Sequence, residues 1–278
     1  MIPKIVHQTW RDKSLPNILD NIYNHNVKIH NDKNFEFKLW SHVPGEPDID
    51  NFLKINYPEL YNVFIKTKFG VQKGDIGRLA ILYHYGGIYI DLDILCIKSL
   101  DNILDFNSDK LYMANEPSEQ TMKIFNDNNY LCNAFVAAPS KHPILKYAID
   151  NIINIHKKFG NIIFNKFDIF GGGYMKNTIN TISEITELSE IFELIDTSMI
   201  YPINDPKFND LSCSKKDWDR LKNGYYGSKA IVTHLWIHCD FESKILLDTF
   251  VCDKNISIHD NIFNFFCQLY PTNASLLL

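Results

Sequence analysis

The sequence contains no apolar run approaching the roughly 20 residues of a membrane-spanning helix. Its start, Met1 to His7, lacks the long apolar stretch of a secretory leader. With no leader or anchor in the chain, the expected location is cytoplasmic or otherwise intracellular. Also missing is any C-x-x-C pair: Cys96, Cys132, Cys213, Cys239, Cys252 and Cys267 are scattered. That spacing excludes a zinc ribbon or a thioredoxin-type centre and suits reduced thiols. There is no excess of positive charge either. A net charge of -5 and a pI near 6.0 argue against nucleic acid as a partner, because phosphate backbones are met with a basic field. No internal repeat, low-complexity tract or linker interrupts the 278 residues. What remains has globular proportions, 45% hydrophobic and 22% charged, enough to bury a sizeable core.

Strands and helices alternate along the first half. Lys4 to Thr9 reads as a buried strand, and Phe35 to Trp40 alternates apolar and polar with a strand's period of two. Ile49 to Lys66 is amphipathic, with Pro58 marking a fresh start. Gly74 to Tyr85 carries apolar residues at helical spacing, with Asp75 in its first turn, and Gly86-Gly87 stops it. Ile88 to Ile94 then alternates strictly. Further on, Tyr130 to Ala138 reads as a strand and Pro143 to Phe159 as a helix. A glycine-rich turn over 170–174 leads into a helix from about Met175 to Ile182, and Ala230 to Ile237 reads as another strand. This interleaving predicts an α/β fold.

The densest chemical signal is Tyr85-Gly86-Gly87-Ile88-Tyr89-Ile90-Asp91-Leu92-Asp93. In an extended segment, residues two apart share a face. Ile88, Ile90, Leu92 and Ile94 would then enter the core, with Tyr89, Asp91 and Asp93 opposite. Two adjacent carboxylates repel unless a positive group lies between them. Oxygen ligands suit Mg²⁺ or Mn²⁺, which also bind diphosphate. The alternative is a strand end with two solvated aspartates.

Lys73-Gly74-Asp75-Ile76-Gly77-Arg78-Leu79, followed by Gly86 to Asp93, resembles the signature of the DXD-containing sugar transferases. These include the initiating α-1,6-mannosyltransferase type (glycosyltransferase family 32) and, more distantly, the clostridial glucosylating toxins. Ile2 to Trp10 also resembles that family's first strand. The resemblance is strong over 1–105 and patchy beyond. It implies a GT-A fold, Rossmann-like and nucleotide-sugar-binding, with a mixed central sheet and helical insertions. It implies a single domain over 1–278, with 1–105 the nucleotide-sugar-binding half and 106–278 the acceptor-side half. It implies a Mn²⁺ or Mg²⁺ ion, a UDP- or GDP-linked sugar donor, retention of anomeric configuration, and a glycan, lipid or protein acceptor.

By the same resemblance, Asp91 and Asp93 contact the metal and the donor, and Asp75 and Arg78 hold sugar hydroxyls and phosphates. A guanidinium fork suits phosphate oxygens; the alternative is a surface ion pair. Trp10 is placed near the base, where it is otherwise a core tryptophan. Gln8 and His7 are otherwise strand-end hydrogen-bonders. Tyr89 shares the aspartates' face. Asn133 is placed to bond donor sugar or acceptor, or else is a strand-edge asparagine. Gly171-Gly172-Gly173 stands where relatives carry a Thr-Gly-Pro turn, and Gly172 is expected to admit substrate closely. His234 is the expected third metal ligand, with His238 as its substitute; on one strand His234, Trp236 and His238 would share a face. The loops 115–129 and 204–222 are expected to select the acceptor. Two other readings are an inactive nucleotide-sugar-binding protein on this fold and a haloacid-dehalogenase-like phosphatase. The phosphatase motif requires Thr or Val where Leu95 stands.

Overall fold

In the computed structural model, residues 1–45, 47–160, 171–208, 211–237 and 241–270 are described, without the side chains of 208, 211–214 and 241–243. The first strand, β1 (Ile5–Thr9), leads to α1 (Asn17–His30) and β2 (Glu36–Trp40). Three helices follow: α2 (Ile49–Asn56), α3 (Pro58–Lys66) and α4 (Gly70–Tyr85). The break between α2 and α3 falls at Pro58, as the sequence predicts, and the proline takes the first helical turn, where no amide is needed. Then come β3 (Gly87–Ile90), β4 (Ile94–Cys96), β5 (Leu111–Asn115), α5 (Ser118–Phe125), β6 (Leu131–Ala138) and α6 (Pro143–Phe159). After them lie α7 (Gly172–Ser183), α8 (Leu188–Ile191), β7 (Phe192–Ile195) and α9 (Thr197–Ile200). The last elements are α10 (Leu211–Asn223), β8 (Val232–His234), α11 (Phe241–Thr249) and α12 (Ile258–Leu269).

The main sheet has six strands in the order β2-β1-β3-β6-β5-β7. β1 runs parallel to β2 and β3, while β6 runs antiparallel to β3 and β5, so the sheet is mixed. Alternation along the strands sorts side chains into two apolar layers. Val6, Ile88, Ile90, Phe135 and Ala137 face the layer with α1 and α12. Tyr89, Val136, Ala138, Leu111 and Met113 face the layer with α2, α3, α4 and α6. The architecture is the GT-A fold.

Gly86 ends α4 at φ 67°, and a Cβ there would meet Ser140 N at 2.6 Å, so the sharp return into β3 requires glycine. α4 begins at Gly70, one turn earlier than the sequence suggests, which puts Asp75 in its second turn. The helix end therefore does not serve Asp75; the arginine one turn on does.

Two strand readings need correction. The segment 88–94 is not one strand: β3 ends at Ile90, a turn closes with Ile94 N donating to Asp91 O at 3.0 Å, and β4 starts a separate two-stranded sheet with β8. Leu92 and Ile94 still reach the core layer shared with Ile88 and Ile90, so apolar alternation survives a turn that it cannot distinguish from a strand. Likewise, only Val232–His234 of the predicted 230–237 strand pairs. Trp236 then turns left-handed at φ 56°. His234, Trp236 and His238 are thus not one strand face, and His238 lies outside the described residues. No described helix is long and apolar enough to cross a membrane.

Candidate active site

The site lies where β1 and β3 end together. Their parallel pairing sets His7 beside Tyr89, so Gln8, Thr9 and Trp10 emerge at the edge where Asp91 follows β3. Tyr89 points into the α4 layer, its hydroxyl bonded to Thr9 Oγ1 at 2.8 Å. Arg78, one face of α4, stacks its guanidinium over the Tyr89 ring at 4.3 Å. Arg78 Nη2 donates to Asp91 Oδ1 at 2.9 Å, and Nη1 to the Asn133 carbonyl. Asn133 Nδ2 in turn donates to Asp75 Oδ1 at 2.7 Å, and Arg78 Nη1 lies 3.5 Å from that same oxygen. Burial pushes the Asp75 carboxyl up to about 7 against the pull of Arg78. Burial also raises Asp91, opposed by Arg78. Asp75, Arg78, Tyr89, Asp91 and Asn133 are therefore one contiguous network, and the surface ion pair weighed for Asp75 and Arg78 is not what forms: both side chains are buried.

The turn after β3 sends Asp93 to the opposite side, toward β8. Asp93 Oδ2 accepts the Ile237 amide at 2.8 Å and lies 3.1 Å from His234 Nε2. Burial acts to raise Asp93, but His234 and the Ile237 amide outweigh it and hold the carboxyl low. The same pairing outweighs burial at His234 and holds its imidazole well above the ordinary range. Asp91, Asp93 and His234 each bring one ligand atom within 4.8 Å of the others. Two carboxylates and an imidazole fit a Mn²⁺-type ion in chemistry and in spacing. Asp91 is the most open of the three.

The remaining expected residues divide. Trp236 packs its ring on His234 at 4.1 Å and donates Nε1 to Ile203 O at 3.1 Å, so it braces that histidine. Gln8 is fully buried, with Nε2 3.4 Å from Asp91 O and Oε1 without a partner. Trp10 is half-buried and packs against the core, with Nε1 unpartnered. His7 is a structural residue: Nε2 meets Gly86 O at 3.0 Å and Nδ1 accepts from Trp40 Nε1 at 3.2 Å. What Gly172 approaches is the β6 backbone, since a Cβ there would sit 1.7 Å from Leu131 O. Its lack of a side chain is explained by packing of α7 on β6, without a substrate.

Within the 115–129 loop, sequence reasoning does not single out Glu116. It follows β5, half-buried, and accepts from Gln120 Nε2 at 3.0 Å. Burial pushes its carboxyl up to about 7, against the charge of His234. A lone acid after a strand has no spacing to mark it. The two loops expected to select the acceptor do meet: Asp205 N donates to Gln120 Oε1 at 2.7 Å and Asn204 Nδ2 to Glu119 Oε2 at 3.4 Å.

Comparison with known proteins bears on the family and the fold. Residues 16–109 match the model of the glycosyltransferase sugar-binding region containing a DXD motif. An uncharacterized glycosyltransferase of Acanthamoeba polyphaga mimivirus is 30% identical over 223 residues, 77% of this chain and 77% of that protein. Inositol phosphoceramide mannosyltransferase 1 of Schizosaccharomyces pombe is 35% identical over 167 residues, 60% of this chain but 46% of its own length. The chain thus spans less than half of that relative. Among solved structures, the PaToxG glycosyltransferase superposes with a TM-score of 0.50 at 19% identity, over 66% of this chain and 70% of its own. That likeness is one of fold. The chain belongs to the DXD-containing glycosyltransferases, an enzyme family of sugar transfer.

Proposed function

We propose that this chain moves a hexose or N-acetylhexosamine from a UDP- or GDP-linked donor to a glycan, lipid or protein acceptor, with a divalent ion held by Asp91, Asp93 and His234. The observation that carries the reading is the convergence of those three ligand atoms within 4.8 Å beside the buried Arg78. When bound, Mn²⁺ or Mg²⁺ supplies positive charge that stabilises a departing diphosphate. The chain's own residues do the positioning. Arg78 turns Asp91 toward the ligand set and adds a fixed cation near the leaving group, an electrostatic contribution that needs no reorganisation. Asp93 is fixed by the Ile237 amide, and His234 by the Trp236 ring. Asp75 and Asn133 offer hydroxyl-binding groups for the donor sugar, and Gln8, Trp10 and Tyr89 belong to the nucleotide side. The donor half is 1–105, and 106–278 forms the acceptor side of a single domain. Transfer proceeds with retention, the acceptor attacking from the leaving-group side.

Mannose is the favoured sugar and a phosphoinositol-type lipid the favoured acceptor, because the named yeast relatives are inositol phosphoceramide mannosyltransferases. The test is a panel of UDP- and GDP-sugars offered to the purified protein with Mn²⁺ or chelator, beside Asp91→Ala/Asp93→Ala. Metal-dependent release of one nucleotide, absent in the variant, supports the reading. Folded protein that binds and turns over none of them contradicts it.

A further inference from the structure

Three helix ends, those of α3 and α6 and the start of α4, meet on one side of the molecule. α3 starts at the far end of α4, where Tyr57 Oη lies 3.1 Å from His84 Nδ1. It ends beside the start of α4, where Lys73 Nζ sits 5.1 Å over the Phe64 ring. α6 also starts at the far end, Lys141 N donating to Tyr83 O at 2.7 Å, and comes back to place His156 3.4 Å from Lys66. All three ends therefore lie at the start of α4, the end nearer Asp75.

Large apolar side chains stand out from this side. Ile65 is 49% exposed, Val71 61% and, on α6, Phe159 50%. Lysines separate them: Lys66, Lys68 and Lys73 along the α3–α4 junction, Lys157 and Lys158 on α6. Residues 59–73 and 155–160 hold those five lysines and one acid, Glu59, which pairs with Lys157 at 2.6 Å, within a chain of net charge -5. A protein partner selects a contiguous apolar centre and disfavours lysine. Separate apolar side chains set among lysines are instead the composition of a bilayer interface, where rings and aliphatic tips enter the acyl boundary and ammonium groups meet anionic headgroups.

We propose that the α3–α4 junction and the end of α6 bind the surface of an anionic lipid bilayer. Such seating holds the Asp91 edge of the sheet next to the membrane plane. The proposal rests on this surface alone and stands or falls apart from the donor chemistry.

The test is co-sedimentation of the full chain with phosphatidylcholine vesicles, with and without phosphatidylserine, at low and high salt. Binding is expected only to the anionic vesicles and is expected to weaken with salt. Lys66→Gln/Lys68→Gln is expected to lose about fivefold in affinity per lysine neutralised, and Ile65→Ser/Val71→Ser to lose binding at both salt concentrations. Ile185→Ser, at a residue still more exposed and lying elsewhere, is expected to bind as the parent. Thermal melts of each variant establish that it is folded. Absence of sedimentation with either lipid, equal binding to neutral vesicles, or folded variants that bind undiminished would overturn the proposal. So would a self-association of the lipid-free protein that the same substitutions abolish, since the surface would then be an interface between two copies.

Discussion

Arg78 Nη2 and Asp91 Oδ1 lie 2.9 Å apart, joining the middle of α4 to the residue that follows β3. That bond ties a helix buried almost all round to the turn that presents both DXD carboxylates. It makes Arg78 a residue on which stability and site geometry both depend.

Arg78→Met is accordingly expected to destabilise the fold by about 3–5 kcal/mol, since it leaves the buried Asp75 and Asp91 without their cation. Arg78→Lys keeps the charge but loses the fork to Asp91 and Asn133, so a smaller loss is expected. Urea midpoints at constant m-value measure both. A midpoint for Arg78→Met equal to the parent would show that the pair does not hold the turn.

Gly172→Ala brings a methyl against the Leu131 carbonyl, with an ideal Cβ 1.7 Å from the oxygen. Neither group is a flexible side-chain end, so α7 must shift off β6. The expected cost is about 3 kcal/mol, at the upper end of ordinary overpacking, read as a fall in the melting temperature. An unchanged melt would show that the glycine is there for something other than packing.

Two buried histidines set an acid limit. Burial lowers His7 to about 4, and Lys38 adds to that against the bond to Gly86 O; burial likewise lowers His142 to about 4. Protonating His7 would also remove Nδ1 as acceptor for Trp40. An unfolded histidine takes its proton near 6.5, so between about 6.5 and 4 the unfolded chain binds more protons. The histidine share of stability should therefore fall as pH drops through that window, by about 3 kcal/mol for each histidine at full protonation, while Asp75 and Glu116, both raised to about 7, act in the opposite sense over the same window. Denaturation of the parent and of His7→Gln at stepped pH isolates the His7 share, the variant losing less stability toward acid than the parent. An unaltered slope in that variant would remove His7 from the account.

Much of this site is legible in the sequence because its residues fall at fixed offsets around strong periodic elements. Asp75 and Arg78 ride on an apolar helix, and Asp91 and Asp93 follow an apolar strand bounded by Gly86-Gly87. His234 stands out in its motif, but its route to Asp91 and Asp93 does not: the three side chains converge through a turn after Ile90 and a separate β4–β8 ladder. Alternation continues through that turn and conceals it. α1 escapes pattern reading because its inner face buries Asn26 and His30. Asn26 bonds Ile94 O and Cys96 N and so supports β4 from behind. β5 is a short strand buried on both faces, and β7 carries two exposed residues at the sheet edge, so neither shows a clean period. α12 has Ile262, Phe265 and Phe266 on its buried face and a Ser257–Asp260 capping box, signals of the ordinary kind that the sequence does display.

The central claim, that Asp91, Asp93 and His234 form a metal centre for a nucleotide-sugar donor, is tested most directly by Mn²⁺ titration followed by electron paramagnetic resonance. The titration is run with UDP and with GDP, on the parent, on Asp91→Ala/Asp93→Ala and on Lys66→Gln/Lys68→Gln. The account predicts a single class of Mn²⁺ site tightened by one of the nucleotides, lost in the aspartate variant and kept in the lysine variant. Equal Mn²⁺ binding by the folded aspartate variant, or none by the parent with either nucleotide, would contradict it.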